Sequence, residues 1–156
     1  MKKVVKYKLN IKENECFPFL PVMHDNELKD IVYVDGSLKL TATNVYLYDD
    51  NSEKFVGFVP KTINIDIELL DGLDCEVIVS KFYPKKQINE KNNFGYGTKS
   101  NIYSILEFME IKDNYNLTFS YNLVGFSQVN FIFLDKKNYR VEMRINCKEL
   151  KYTFDD

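Results

Sequence analysis

The stretch Thr62-Ile63-Asn64-Ile65-Asp66-Ile67-Glu68-Leu69 alternates polar and apolar residues without a break. Side chains on a strand point to opposite faces in turn, so Ile63, Ile65, Ile67 and Leu69 share one face. Asn64, Asp66 and Glu68 share the other. This period predicts a strand with one side against a core and one side in water. Asp71-Gly72 then marks a turn into Cys75 to Phe82, where Cys75, Val77 and Val79 repeat the pattern.

The same period extends outward in both directions. Upstream, Val5, Tyr7, Leu9 and Ile11 alternate with Lys6, Lys8, Asn10 and Lys12. An irregular segment from Asn14 to Lys29 follows and contains Cys16-Phe17-Pro18-Phe19-Leu20-Pro21. Ile31 to Val34 and Ser37 to Thr41 flank Asp35-Gly36, a hairpin signal because a type I′ turn needs positive φ at both central residues. Asn44 to Tyr48 and Lys54 to Val59 form a second expected hairpin around Asp49-Asp50-Asn51-Ser52-Glu53.

Downstream, a long polar loop is expected near residues 84–101. Closing strands are expected at Leu117 to Val124, Val129 to Leu134 and Tyr139 to Cys147, with Asp135-Lys136-Lys137-Asn138 linking the last two. Ile102 to Ile111 fits two patterns. Ile102, Ile105, Leu106 and Met109 suit a helical face capped by Ser100 or Asn101, whereas Tyr103, Ile105 and Ile111 favour a strand, the preferred reading. About nine or ten short strands, with at most one short helix near 101–111, predict an all-β fold. The architecture expected is an antiparallel two-sheet β-sandwich, with a small β-barrel as the alternative, in a single domain over residues 1–156.

Composition agrees. One alanine stands against 11 Tyr and 12 Phe, and alanine is the best helix former while aromatics fit a pleated surface. The 19 lysines, two arginines and absent tryptophan also match the codon bias of a low-GC genome. Only the positions of Lys and Tyr therefore carry an argument. A chain of 156 residues buries about 70% of its unfolded surface. Its net charge of -2 gives no general attraction to nucleic acid or an anionic membrane. Met1-Lys2-Lys3 is followed by Lys6 and Lys8, which interrupt any secretory apolar run, and no stretch approaches the ~20 apolar residues of a spanning helix. A cytoplasmic location is expected.

Catalytic ingredients are sparse. His24 is the single histidine, so a His-rich metal site is excluded, and a nucleophile–His pair has to use it. Cys16 lies eight residues before it, with no spacing that makes them meet. Cys75 and Cys147 alternate in phase with apolar neighbours and read as buried thiols, not a disulfide framework. Gly95-Tyr96-Gly97 is a lone GxG and not a phosphate cradle. Asp49, Asp50, Asn51 and Glu53 do not match a calcium-loop spacing, and Asp66 and Glu68 read as a solubilising pair. Asn116-Leu117-Thr118 is a sequon with meaning only in a secreted chain. No cofactor or metal is expected.

Two surfaces are candidates. From Lys81 to Lys99 the chain carries five lysines against Glu90, with Phe82, Tyr83, Phe94 and Tyr96 among them. Basic residues beside aromatics suit single-stranded nucleic acid or an acidic protein partner; a solvated connector is the plainer reading. Arg140 and Arg144 are the only arginines and fall on one strand face with Glu142 between them. A planar guanidinium makes bidentate or stacked contacts that lysine cannot copy, whereas a cross-strand ion pair is the plainer reading. Charge is segregated as well. Residues 15–80 carry four lysines against 13 acids, and residues 1–14 carry five lysines against one.

The function expected is a non-enzymatic protein-binding module, such as an inhibitor, an immunity protein or a phage-encoded anti-defence protein. Its expected partner-binding residues are Tyr83, Lys85, Lys86, Phe94, Tyr96, Arg140 and Arg144. A protein partner is expected and nucleic acid is not. The alternatives are a structural β-sandwich subunit of a phage or surface assembly, or a barrel holding a small ligand.

Overall fold

The computed structural model describes residues 3–8, 26–43, 48–49, 54–55, 62–71, 74–82, 98–125 and 128–155. Its strands in chain order are β1 (Lys3–Lys8), β2 (Glu27–Val34), β3 (Ser37–Thr43), β4 (Tyr48–Asp49), β5 (Lys54–Phe55), β6 (Thr62–Leu69), β7 (Cys75–Phe82) and β8 (Thr98–Ser104). Helix α1 (Ile105–Ile111) and a 3-10 turn at Lys112–Asn114 lead to β9 (Leu117–Gly125), β10 (Gln128–Asp135) and β11 (Tyr139–Asp155). The chain is mostly antiparallel β, as its alternation predicts. The strands number 11 among the described residues, because the second hairpin contributes the two-residue pair β4–β5 as a separate ladder.

Nine of these described strands form one connected sheet. Eight run in the order β10-β9-β2-β3-β6-β11-β7-β8, with β1 laddered to β11 and β10 also laddered to β11. The path from β11 through β10, β9, β2, β3 and β6 thus returns to β11. Asn146 shows how one strand serves four partners. Its N–H donates to the Asp74 carbonyl at 2.9 Å, and its own carbonyl accepts from Leu70 N at 3.0 Å, so both neighbours lie on one edge. On that edge β6 pairs with residues 147–155 and β7 with residues 139–145. The opposite edge takes β1 and β10.

The expected end of the last strand at Cys147 is corrected: β11 continues to Asp155. The register shifts between Cys147 and Glu149, and this bulge changes which positions face the core. Val141, Met143, Ile145 and Cys147 are buried before it, Leu150 and Tyr152 after it. Odd positions give way to even ones across Lys148, which is exposed.

Other expectations were met where the residues are described. Asp35 and Gly36 have φ of 48° and 76°, the positive pair a type I′ turn requires, and Val34 faces Ser37 across it. Ile63, Ile65, Ile67 and Leu69 are at most 3% exposed, and Leu38, Leu40 and Ala42 of β3 pack in the same core. Phe119 meets Phe133 at 4.5 Å and Phe131 at 5.8 Å between ring centres, within the range of favourable aromatic pairs. Each fully buried side chain of this kind contributes about 1.5–3 kcal/mol.

The Ile102–Ile111 segment is neither all strand nor all helix. Residues 98–104, including the end of the expected 84–101 loop, pair with β7, and the helix begins only at Ile105. Its cap is Ser104, not Ser100 or Asn101. Ser104 Oγ accepts from Glu107 N at 3.2 Å, and Glu107 Oε2 accepts from Ser104 N at 2.8 Å, a reciprocal capping box. The buried face is Ile105 and Phe108, whereas Ile102 and Leu106 are exposed. Among the described residues, no helix is long and apolar enough to cross a membrane.

Candidate functional site

Strand pairing gathers side chains that are far apart in sequence. The register aligns Ile102 of β8, Ile78 of β7, Glu142 of β11 and Ile132 of β10 in one row across four strands. These positions alternate with core residues such as Val77 and Met143, so the row lies on the outward face. One neighbouring row holds Ser100, Ser80, Arg140 and Leu134, and the other Ser104, Glu76, Arg144 and Asn130. The two arginine positions therefore border an apolar row whose only charge is Glu142.

Glu142 explains why arginine stands on both sides. Its side chain is only 15% exposed, between two isoleucines, and a desolvated carboxylate needs a positive neighbour. Arg144 Nε donates to Glu142 Oε1 at 3.2 Å, while Arg140 Nη2 lies 4.0 Å from Oε2. Arg144 Nη1 lies 4.0 Å from Glu76 Oε1. The ion pairs form on the same strand and across to β7, and the arginine side chains stay 35% and 45% exposed. Towards the β8–α1 junction, Arg144 enters an open groove with Asp74, Glu76, Glu107, Gln128 and Asn146. Gln128 Nε2 donates to Asn146 Oδ1 at 3.4 Å.

The row has one exposed end. Ile132 is 1% exposed, Ile78 is half-buried and Ile102 is 67% exposed. Leu106, 52% exposed, stands at the start of α1 close by in sequence. Ile102 also lines the groove that Arg144 enters.

Other candidates separate clearly. Asp66 lies 3.5 Å from Lys151 Nζ in an ordinary cross-strand ion pair, while Glu68 is exposed. Burial pushes the Cys75 and Cys147 thiols up to about 12, which leaves them protonated and poor nucleophiles near neutral pH. Among the described residues, no group of three or more His, Cys, Asp or Glu is arranged to hold a metal ion. Tyr83, Lys85, Lys86, Phe94 and Tyr96 lie outside the described residues, as do Cys16, His24 and Gly95 to Gly97. Lys81, at the edge of that basic stretch, places Nζ 5.5 Å from the Tyr139 ring centre.

Alternation marked Arg140, Glu142 and Arg144 as neighbours, but it missed Asp74, Glu76, Ile102 and Glu107. No sequence spacing links residues 76, 102 and 144; only the ladders do. The Ser104-x-x-Glu107 signature was the one local signal, because it fixes the helix start and so the end of β8. No protein-family model, no curated protein and no solved structure matches this chain.

Proposed function

We propose that the chain is a protein-binding module with no reaction of its own, docking its partner on the outward face of β7, β8 and β11. The observation that carries this reading is the apolar row from Ile132 to Ile102, bordered by Arg140 and Arg144. A partner covering the row removes the exposed area of Ile102 from water. Its carboxylates meet guanidinium groups that offer bidentate geometry. Within this class we favour an inhibitor, immunity or anti-defence protein, whose task needs only a rigid binding surface. We read the architecture as a small barrel rather than a two-sheet sandwich, supported by the pairing path that returns to β11. The packed rings of Phe119, Phe131 and Phe133 favour a filled interior over one that holds a ligand.

The test is capture of the tagged chain from its native lysate, with mass spectrometry of bound proteins and small molecules. One stoichiometric protein is expected. Arg140→Ala with Arg144→Ala should weaken its binding at least ~10-fold while the melting curve of the free chain keeps its cooperativity. Lys85→Glu with Lys86→Glu tests the basic loop separately. Recovery of the chain alone or of a metabolite, or unchanged binding by Arg140→Ala with Arg144→Ala, defeats the reading.

A further inference from the structure

We infer that β8 is a self-association edge, at which two copies of this chain pair antiparallel about a two-fold axis near Ile102. Among the described residues β8 ladders to β7 alone, and it stands at the end of the strand order. Its seven residues run without proline or a register shift. Edge strands commonly avoid further pairing through proline, bulges or several charges. Here the strand's only charge is Lys99.

Charge distribution selects a second copy as the occupant. Lys81 faces Lys99 across the β7–β8 ladder at one end. Glu76 faces Ser104 at the other end, where the groove sets three acids, Asp74, Glu76 and Glu107, against Arg144. The edge is thus positive at its start and negative at its finish. Antiparallel pairing of identical strands sets each positive end against the other copy's negative end, and does so twice. A parallel arrangement instead opposes like charges.

Ile102 sits between the two ends, and at 67% exposure it is the most exposed large apolar side chain among the described residues. With the axis at this position, Ile102 lies directly opposite Ile102 of the second copy, and Ser100 opposite its Ser104. Residues opposite each other in an antiparallel ladder point to the same face. The outward rows of the two copies therefore join into one, with both arginine pairs on the same side. A strand of this length offers a short ladder, so a reversible, concentration-dependent dimer is expected and not a permanent one.

The inference concerns the chain alone and stands whether or not a foreign partner exists. The experiment is sedimentation equilibrium of the purified chain over a wide concentration range, at low and high salt, with hydrogen exchange of the β8 amides. A dimer weakened by salt is expected, with β8 amides protected as concentration rises. Ile102→Asp should raise its dissociation constant at least ~10-fold, because it places two carboxylates across the axis. Since Ile102 is exposed, circular dichroism and melting of the variant should match those of the unaltered monomer. Lys99→Glu gives a second reading and should weaken the dimer too. Sedimentation as a monomer throughout overturns the inference, as does a dimer indifferent to both substitutions. Protection of β8 only when another protein is added also overturns it.

Discussion

The ring of ladders is held very differently at β11 and at the junction of β2 with β9. At β11, backbone hydrogen bonds to four strands fix 17 residues, and the core side chains on both sides of its bulge are almost fully buried. At the junction, one residue pair is aligned among the described residues, Glu27 with Thr118, supported by Phe119 N donating to the Asn26 carbonyl at 2.8 Å. Helix α1 and the turn after it occupy the remaining edge of β2. Lys112 Nζ donates to the Ile31 carbonyl at 2.7 Å and to Asp30 Oδ1 at 3.0 Å. Phe108 is fully buried below and stacks on Tyr115 with ring centres 6.1 Å apart. A lysine and a capped helix thus satisfy groups that a strand satisfies elsewhere. Regular ladders resist opening as units, while side-chain seals open locally.

The largest expected effect breaks the strong side. Deleting Lys148 removes the extra residue of the bulge, so either Leu150 and Tyr152 or Val141 to Cys147 must turn outward. Loss of the cooperative urea transition is expected. A cooperative transition with a near-native midpoint would mean that the bulge does not set the phase. Next comes the anchor of the weak side. Phe108→Ala should cost about 3–5 kcal/mol in urea unfolding and speed exchange of β2 amides more than those of β11. Equal acceleration in both strands would erase the contrast.

The smallest effect is electrostatic. The hydrogen bond from Lys112 holds the Asp30 carboxyl below its ordinary 3.8, with the lysine's charge acting in the same direction and burial opposing. A depressed carboxylate contributes stability above its unfolded value and loses it as pH falls through the folded value. The Asp30 side chain is 53% exposed, so the contribution is below about 1 kcal/mol. Asp30→Asn should remove a small part of the acid limb of the stability curve, and less of it at high salt. An acid limb unchanged by this substitution at low salt would show that Lys112 seals the edge through Ile31 alone.

Legibility followed the same division. The β2–β3 hairpin was readable because Asp35-Gly36 encodes its own turn, and β6 and β7 because their alternation keeps one phase. The far half of β11 was not, since a fixed period of two breaks at Lys148 although the strand does not. Residues 105–111 are helix where the strand reading was preferred, because the apolar residues of this segment fit both periods. Pairing with β7 consumes Ile102 and leaves Ile105 and Phe108 to face inward. The arginine pair was legible from spacing on one strand. Its setting among Ile78, Ile102 and Ile132 depends on long-range register, which no local pattern records.

The long strand also sets a schedule for synthesis. β1 precedes the other strands in the chain, yet its partner residues are 149–154, and one edge each of β6 and β7 waits for residues 139–155 as well. The β2–β3 hairpin can form early, but the pairing path cannot return to β11 until residues 139–155 exist. Contacts this distant in sequence fold slowly, and half-made sheets expose edges to other chains. β11 is therefore the strand on which four others depend, and a chain lacking it leaves their edges open to other chains.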